Sequence, residues 1–188
     1  MIIAVKEKDR VVVGFTNCDV YTRLAEADYI DEENVPLKFN EDGVLFGCAS
    51  MDRRSDVLLY DEDFTKMEIN PKSIVREVIP YMKRTLKQND LALDKEGGWK
   101  NALIICKDNH IYSIGGLFTF YEAEDYMHQG YRRASIENAL DENAGMSAEE
   151  RIIDAVRYAG KMNKENLFPL VITDTKTKQF KYIMRGDK

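Results

Sequence analysis

The chain has 188 residues, of which 44% are hydrophobic and 32% charged, with a net charge of −6. That balance excludes a disordered chain and predicts one globular unit, a single domain over 1–188 with a sizeable core. A net acidic sequence without a basic, aromatic-interleaved stripe excludes nucleic acid as a partner. No apolar run nears the roughly 20 residues of a membrane span and no signal peptide opens the chain, so the expected compartment is the cytoplasm.

Ile2 to Val5 and Val11 to Phe15 read as strands around the charged turn KEKDR, a hairpin that begins at the first residue. A polar stretch from Thr16 to Asn34 follows. VPLKF and VLFGCA then form a second pair around NEDG, with Asp42-Gly43 as the turn signal. Ser50 is placed to cap a short helix, with Met51, Leu58 and Leu59 as its buried positions. Asn70 followed by Pro71 marks a stronger helix start, and Ile74, Val75, Val78, Ile79, Met82 and Leu86 make one apolar face. Pro80 lies inside that pattern and predicts a kink or a break.

Beyond a Gly-rich connection, ALIIC and HIYSI read as a third hairpin around KDNH, and GGLFTFYEA supplies a further strand. A helix is expected from about Tyr131 to Leu140. Ser147 and Glu150 make a capping box ahead of Ile152, Ile153, Ala155, Val156 and Ala159. FPLVITD and KQFKYIM close the chain as a last hairpin. The turns between paired strands are too short for parallel crossovers, so the expected class is α+β, with largely antiparallel sheets inside and helix pairs outside.

Isolated chemistry-bearing residues read mostly as ordinary structure. Cys18, Cys48 and Cys106 are odd in number, have no metal-ligand spacing and are expected to be free thiols. The two histidines, His110 and His128, sit in no ligand cluster, so no metal and no cofactor is expected. The acidic runs DYIDEENV and YEAEDYMH read as a solvated loop and a helix approach. The aromatic-rich TFYEAEDYMHQGY is either a subunit contact or core and rim.

Four stretches taken together resemble the proteasome β-subunit family and its bacterial relatives, the N-terminal-nucleophile (Ntn) hydrolases. MIIAVKEKDRVVVG is similar to that family's first hairpin. LKFNEDGVLFGCASMDRRSDVLL is similar to its passage into the first helix, NALIICKDNHIYSIGGLFTFYEAEDYMHQGYRRASIENAL to its central hairpin and third helix, and MSAEERIIDAVRYAGKMN to its fourth helix. The resemblance implies a four-layer α-β-β-α sandwich and assembly into a homo-oligomer, and nothing in the sequence marks a docking site for an ATPase partner.

An enzyme of this kind uses the side chain of its first residue, Thr, Ser or Cys, as nucleophile, with the free α-amine as base. Residue 1 here is Met, and the alignment places it one position after the nucleophile. The family's aspartate after the second strand falls at Thr16, with Asp19 nearby. Its lysine falls near Pro36, with Lys38 the closest amine. Its substrate-binding glycine falls near Ser50, and its bend before the third helix falls at His128, Gln129, Gly130 and Tyr131. The expected cleft is thus lined by Met1, Thr16, Cys18, Asp19, Lys38, Ser50, Gln129 and Gly130, with no catalytic residue among them. The sequence supports a non-catalytic assembling or binding subunit. It also leaves open a peptide or amide hydrolase with an unusual nucleophile, such as Cys18 paired with His128, or with a different mature start.

Overall fold

The computed structural model describes residues 1–16, 35–50, 52–91, 93, 97–99, 101–184 and 186. Among them, ten strands form two five-stranded sheets, antiparallel throughout. The first sheet is ordered β10 (Lys181–Ile183), β9 (Leu170–Asp174), β2 (Arg10–Thr16), β1 (Ile2–Glu7) and β8 (Tyr126–Gln129). The second is ordered β3 (Leu37–Phe39), β4 (Leu45–Cys48), β5 (Leu103–Lys107), β6 (His110–Ile114) and β7 (Phe120–Ala123).

Three apolar layers separate the elements. Ile2, Ala4, Val13, Phe15, Leu37, Leu45 and Ile104 fill the space between the sheets. Met1, Ile3, Val5 and Val12 point the other way, against α5 (Arg133–Glu142) and α6 (Ala148–Asn163). Phe46, Cys48, Leu103, Ile105 and Ile114 pack against a helical layer made by α1 (Arg53–Leu59), α2 (Glu62–Thr65), α3 (Pro71–Ser73) and α4 (Ile79–Gln88). Strand alternation produces this division, because neighbouring side chains leave opposite faces of the sheet. The architecture is the α+β, four-layer α-β-β-α sandwich.

The helix signals act largely as read, with corrections at Ser50, Val75, Pro80 and the start of α5; Val75, placed on the apolar face, is exposed, while Ile74, Val78, Ile79, Met82 and Leu86 are buried. Asn70 and Ser73 form a reciprocal capping box behind Pro71, as do Ser147 and Glu150 at α6. The cap of α1 is Asp52 rather than Ser50: its carboxylate accepts the N–H groups of Arg54 and Ser55, while Ser50 offers its carbonyl to the Ser55 hydroxyl. Of the kink or break expected at Pro80, the break does not occur. A π-helical turn over Ile74–Val78 links α3 to α4, and the Ile79 N–H reaches the Ile74 carbonyl five residues back. The wider turn makes room for a ring that would otherwise strike the preceding turn. Helix α5 begins at Arg133, since Tyr131 and Arg132 are used in the bend that precedes it.

Candidate functional site

The two sheets meet at the start of β1. The Met1 ammonium donates to the Thr16 carbonyl at 3.0 Å and to the Ala49 carbonyl at 2.9 Å. The Thr16 N–H returns a bond to the Met1 carbonyl at 3.0 Å, so Met1 and Thr16 extend the β1–β2 ladder by one pair. Ala49 follows β4 in the other sheet, and its own N–H is held by the Ala102 carbonyl at 2.9 Å. One buried cation therefore clips both sheets together at this end. Bonds from a charged donor contribute about 1.5–3 kcal/mol each.

Side chains around the terminus divide by face. Met1 is 4% exposed and points into the α5–α6 layer. Thr16, on the same side, is buried and its hydroxyl has no hydrogen-bond partner. Ile2 turns into the space between the sheets, where a Cβ on Gly47 would lie 2.4 Å from its Cδ1. Gln129, opposite Ile2, donates to the Ser113 hydroxyl of the second sheet at 2.9 Å. By alternation, the position before Met1 would turn toward this same intersheet space.

Gly130 closes the corner. Its φ is +121°, and a Cβ there would stand 3.0 Å from the Met1 Cα. Both the backbone conformation and the close approach require glycine. Arg132, two residues on, also has a positive φ of 66°, and its guanidinium pairs with Glu165 beyond the end of α6.

His128 lies under this bend. It pairs with Ile3 in register and is 5% exposed, and neither ring nitrogen has a hydrogen-bond partner. Burial pushes its pKa down to about 4, helped by the nearby Met1 ammonium and Arg133, while the Tyr131 backbone opposes the shift. The ring is neutral at pH 7.

The remaining sequence candidates fall elsewhere. Lys38 sits opposite Phe46 on the outer face of its sheet, with its Nζ 4.7 Å from the Tyr60 ring centroid. It borders a pocket of about 190 Å³ lined by Val35, Leu37, Leu59, Tyr60, Phe180 and Tyr182. Ser50 is exposed, one residue from the acceptor Ala49, with its hydroxyl directed at Asp52. Cys18 and Asp19 lie outside the described residues. Cys48 and Cys106 are free and buried, and burial raises both thiols, that of Cys48 to about 12. The structure thus gathers Met1, Thr16, Gln129 and Gly130, with Ser50 at the margin and Lys38 on another face. It adds Ala49, which no sequence signal could mark because a backbone carbonyl does the work, and Ser113. No group of three metal-ligating side chains and no helix long and apolar enough to cross a membrane occurs among the described residues.

No family model matches the sequence, and no curated protein matches it. Solved structures do match the fold. BPH from Thiobacillus denitrificans, in complex with epoxomicin, superposes with a TM-score of 0.71 at 15% identity, covering 92% of this chain and 96% of that one. Anbu, an ancestral β-subunit from Yersinia bercovieri, gives 0.63 at 12% identity over 99% and 88% of the two chains. Eukaryotic HslV from Trypanosoma brucei gives 0.59 at 17% identity over 92% and 97%. The chain therefore has the fold of the proteasome β-subunit and Ntn-hydrolase group.

Proposed function

We propose that this chain is a non-catalytic subunit on the Ntn fold, in which the amino terminus serves as a structural clamp and the domain acts by assembling with copies of itself in the cytoplasm. One observation carries the reading: the Met1 amine, which an Ntn enzyme needs as a base, is spent on the Thr16 and Ala49 carbonyls at 3.0 and 2.9 Å. An ammonium donating to two carbonyls has no lone pair with which to take a proton. Met1 itself offers neither hydroxyl nor thiol, and Ile2 fills the intersheet space beside it. The assembly part draws on the neighbouring folds, among them Anbu from Pseudomonas aeruginosa, which forms a helical assembly.

The test is intact-mass and N-terminal mass spectrometry of protein purified from its native host, before and after exposure to epoxomicin and to a thiol-directed electrophile. The expected result is an intact Met1 end with no adduct on the terminus and none on Cys18. A trimmed or extended start that presents Thr, Ser or Cys, or an adduct on Cys18, establishes the hydrolase reading instead. A monomer at micromolar concentration by light scattering overturns the assembly part.

A further inference from the structure

We infer that His128 is an acid-sensitive latch on the buried terminus: charging its imidazole releases Met1 from the two sheets that it joins. The inference shares with the proposed function the buried Met1 amine and nothing of its chemistry.

The geometry around the ring is one-sided. From β1 comes the Met1 ammonium, and from the first turn of α5 comes Arg133; both charges acting on His128 are positive. The charged side chain that α6 buries is Arg151, and it is already engaged, donating to the Asp125 carboxylate at 2.8 Å and to the Leu140 carbonyl at 3.0 Å. A proton arriving on His128 would therefore create a second buried cation beside the Met1 ammonium, opposed by burial and by both positive charges and favoured by the Tyr131 backbone alone, while neither nitrogen has a hydrogen-bond partner in the neutral ring.

The weakest way out is local. From Ile2 onward β1 is held by ladders to β2 and β8, whereas Met1 lies at the end of those ladders, with its ammonium on the Thr16 and Ala49 carbonyls and its carbonyl on the Thr16 N–H. Strand ends open at a lower free energy than cores. Releasing Met1 moves its ammonium away from His128 and lets water reach the ring.

The ring's pKa is lower in the folded chain than its ordinary value near 6.5. The clamp is therefore fully closed above pH 6.5 and weakens as pH falls from there toward about 4, where the folded ring itself charges.

The test uses the full chain with a mass-verified Met1 end. Ring resonances of the two histidines are followed by NMR from pH 7.5 to 3.5, assigned with His110→Gln. Amide exchange at Thr16, whose N–H is held by the Met1 carbonyl, is compared with that at Val13 in the core. The expected result is a His128 midpoint more than one pH unit below that of a histidine in a random-coil peptide. Below that peptide's midpoint, Thr16 should lose at least tenfold more protection than Val13, and His128→Leu should abolish the difference. A His128 midpoint at the peptide value overturns the inference, as does equal loss of Thr16 protection in His128→Leu. The wild-type titration decides alone if the variant does not fold, and either negative leaves the non-catalytic reading standing.

Discussion

The two ends of β1 are held by different kinds of charged group. At the Glu7 end the carboxylates collect several donors each, although the Thr173 hydroxyl and Asn109 Oδ1 are buried there without a hydrogen bond. The Glu7 carboxylate accepts the Ala148 N–H at the start of α6 at 3.0 Å and Arg10 Nε at 2.8 Å, and both hold its pKa below the usual range. Nearby, Asp174 accepts the N–H groups of Lys176 and Thr177 and the Thr177 hydroxyl, all within 2.8 Å. At the Met1 end, the Thr16 hydroxyl and both His128 nitrogens are buried without partners, while positive φ values occur at both ends, at Gly130 and Arg132 here and at Lys8 and Asp108 there. The Met1 end is held by one ammonium between two backbone carbonyls, and the Glu7 end by carboxylates that gather backbone and side-chain donors.

The contrast can be broken most sharply at Gly130. Gly130→Val should cost about 3 kcal/mol or more, since it adds a strained φ to a clash with Met1. Gly145→Val, where a Cβ meets nothing within 4 Å, should change the urea midpoint far less. Equal costs would mean that the corner is not tight.

Next in size is the Glu7 end. Asp174→Ala should cost about 2 kcal/mol at pH 7, because it removes three partly buried charge-assisted hydrogen bonds and the Arg10 pair. Burial pushes this carboxyl up, yet the bonds from Thr177 and Lys176 and the Arg10 charge bring it below its usual value. Its contribution is therefore complete above about pH 4 and lost as pH falls through the lower folded value. A denaturation series should show wild type and variant converging in acid, and a gap that widens in acid would contradict this account.

The smallest effects should differ in sign between the ends. Thr16→Val removes a hydroxyl that bonds to nothing and should leave stability within about 1 kcal/mol of wild type, or raise it. Thr177→Val removes a hydroxyl bonded to Asp174 and should cost about 1 kcal/mol. Chemical denaturation of the two variants side by side checks the contrast, and a larger loss at Thr16 erases it.

Much of the fold was legible because its signals are local. The Asn70-Pro71 start, the Ser147–Glu150 box and the turn glycine Gly43, at φ +81°, each act through residues within a few positions of one another. What escaped the sequence depends on distant partners. YMHQ carries little apolar alternation, yet Tyr126–Gln129 is a strand because β1 offers it an edge. The run YEAEDYMH, read as a solvated approach, thus ends in the strand that brings His128 under Met1. Pro80 gave no warning of a π turn, since a wider turn and a break relieve the same clash. The meeting of Met1 with Thr16 and Gly130 followed the family resemblance. Its acceptor Ala49 did not, because the sequence pointed one residue on, to Ser50.

The central claim is that the Met1 amine is sealed between the sheets, and its chemical reactivity tests this most directly. Folded protein and protein unfolded in urea are treated at pH 7 with a trace of an amine-directed acylating reagent, and modification at Met1 is counted by peptide mass spectrometry. The account predicts that folding slows acylation of Met1 at least a hundredfold, while exposed Lys72 and Lys87 are slowed little. Acylation of folded Met1 at the unfolded rate would contradict it, and would return the terminus to the role of an accessible base.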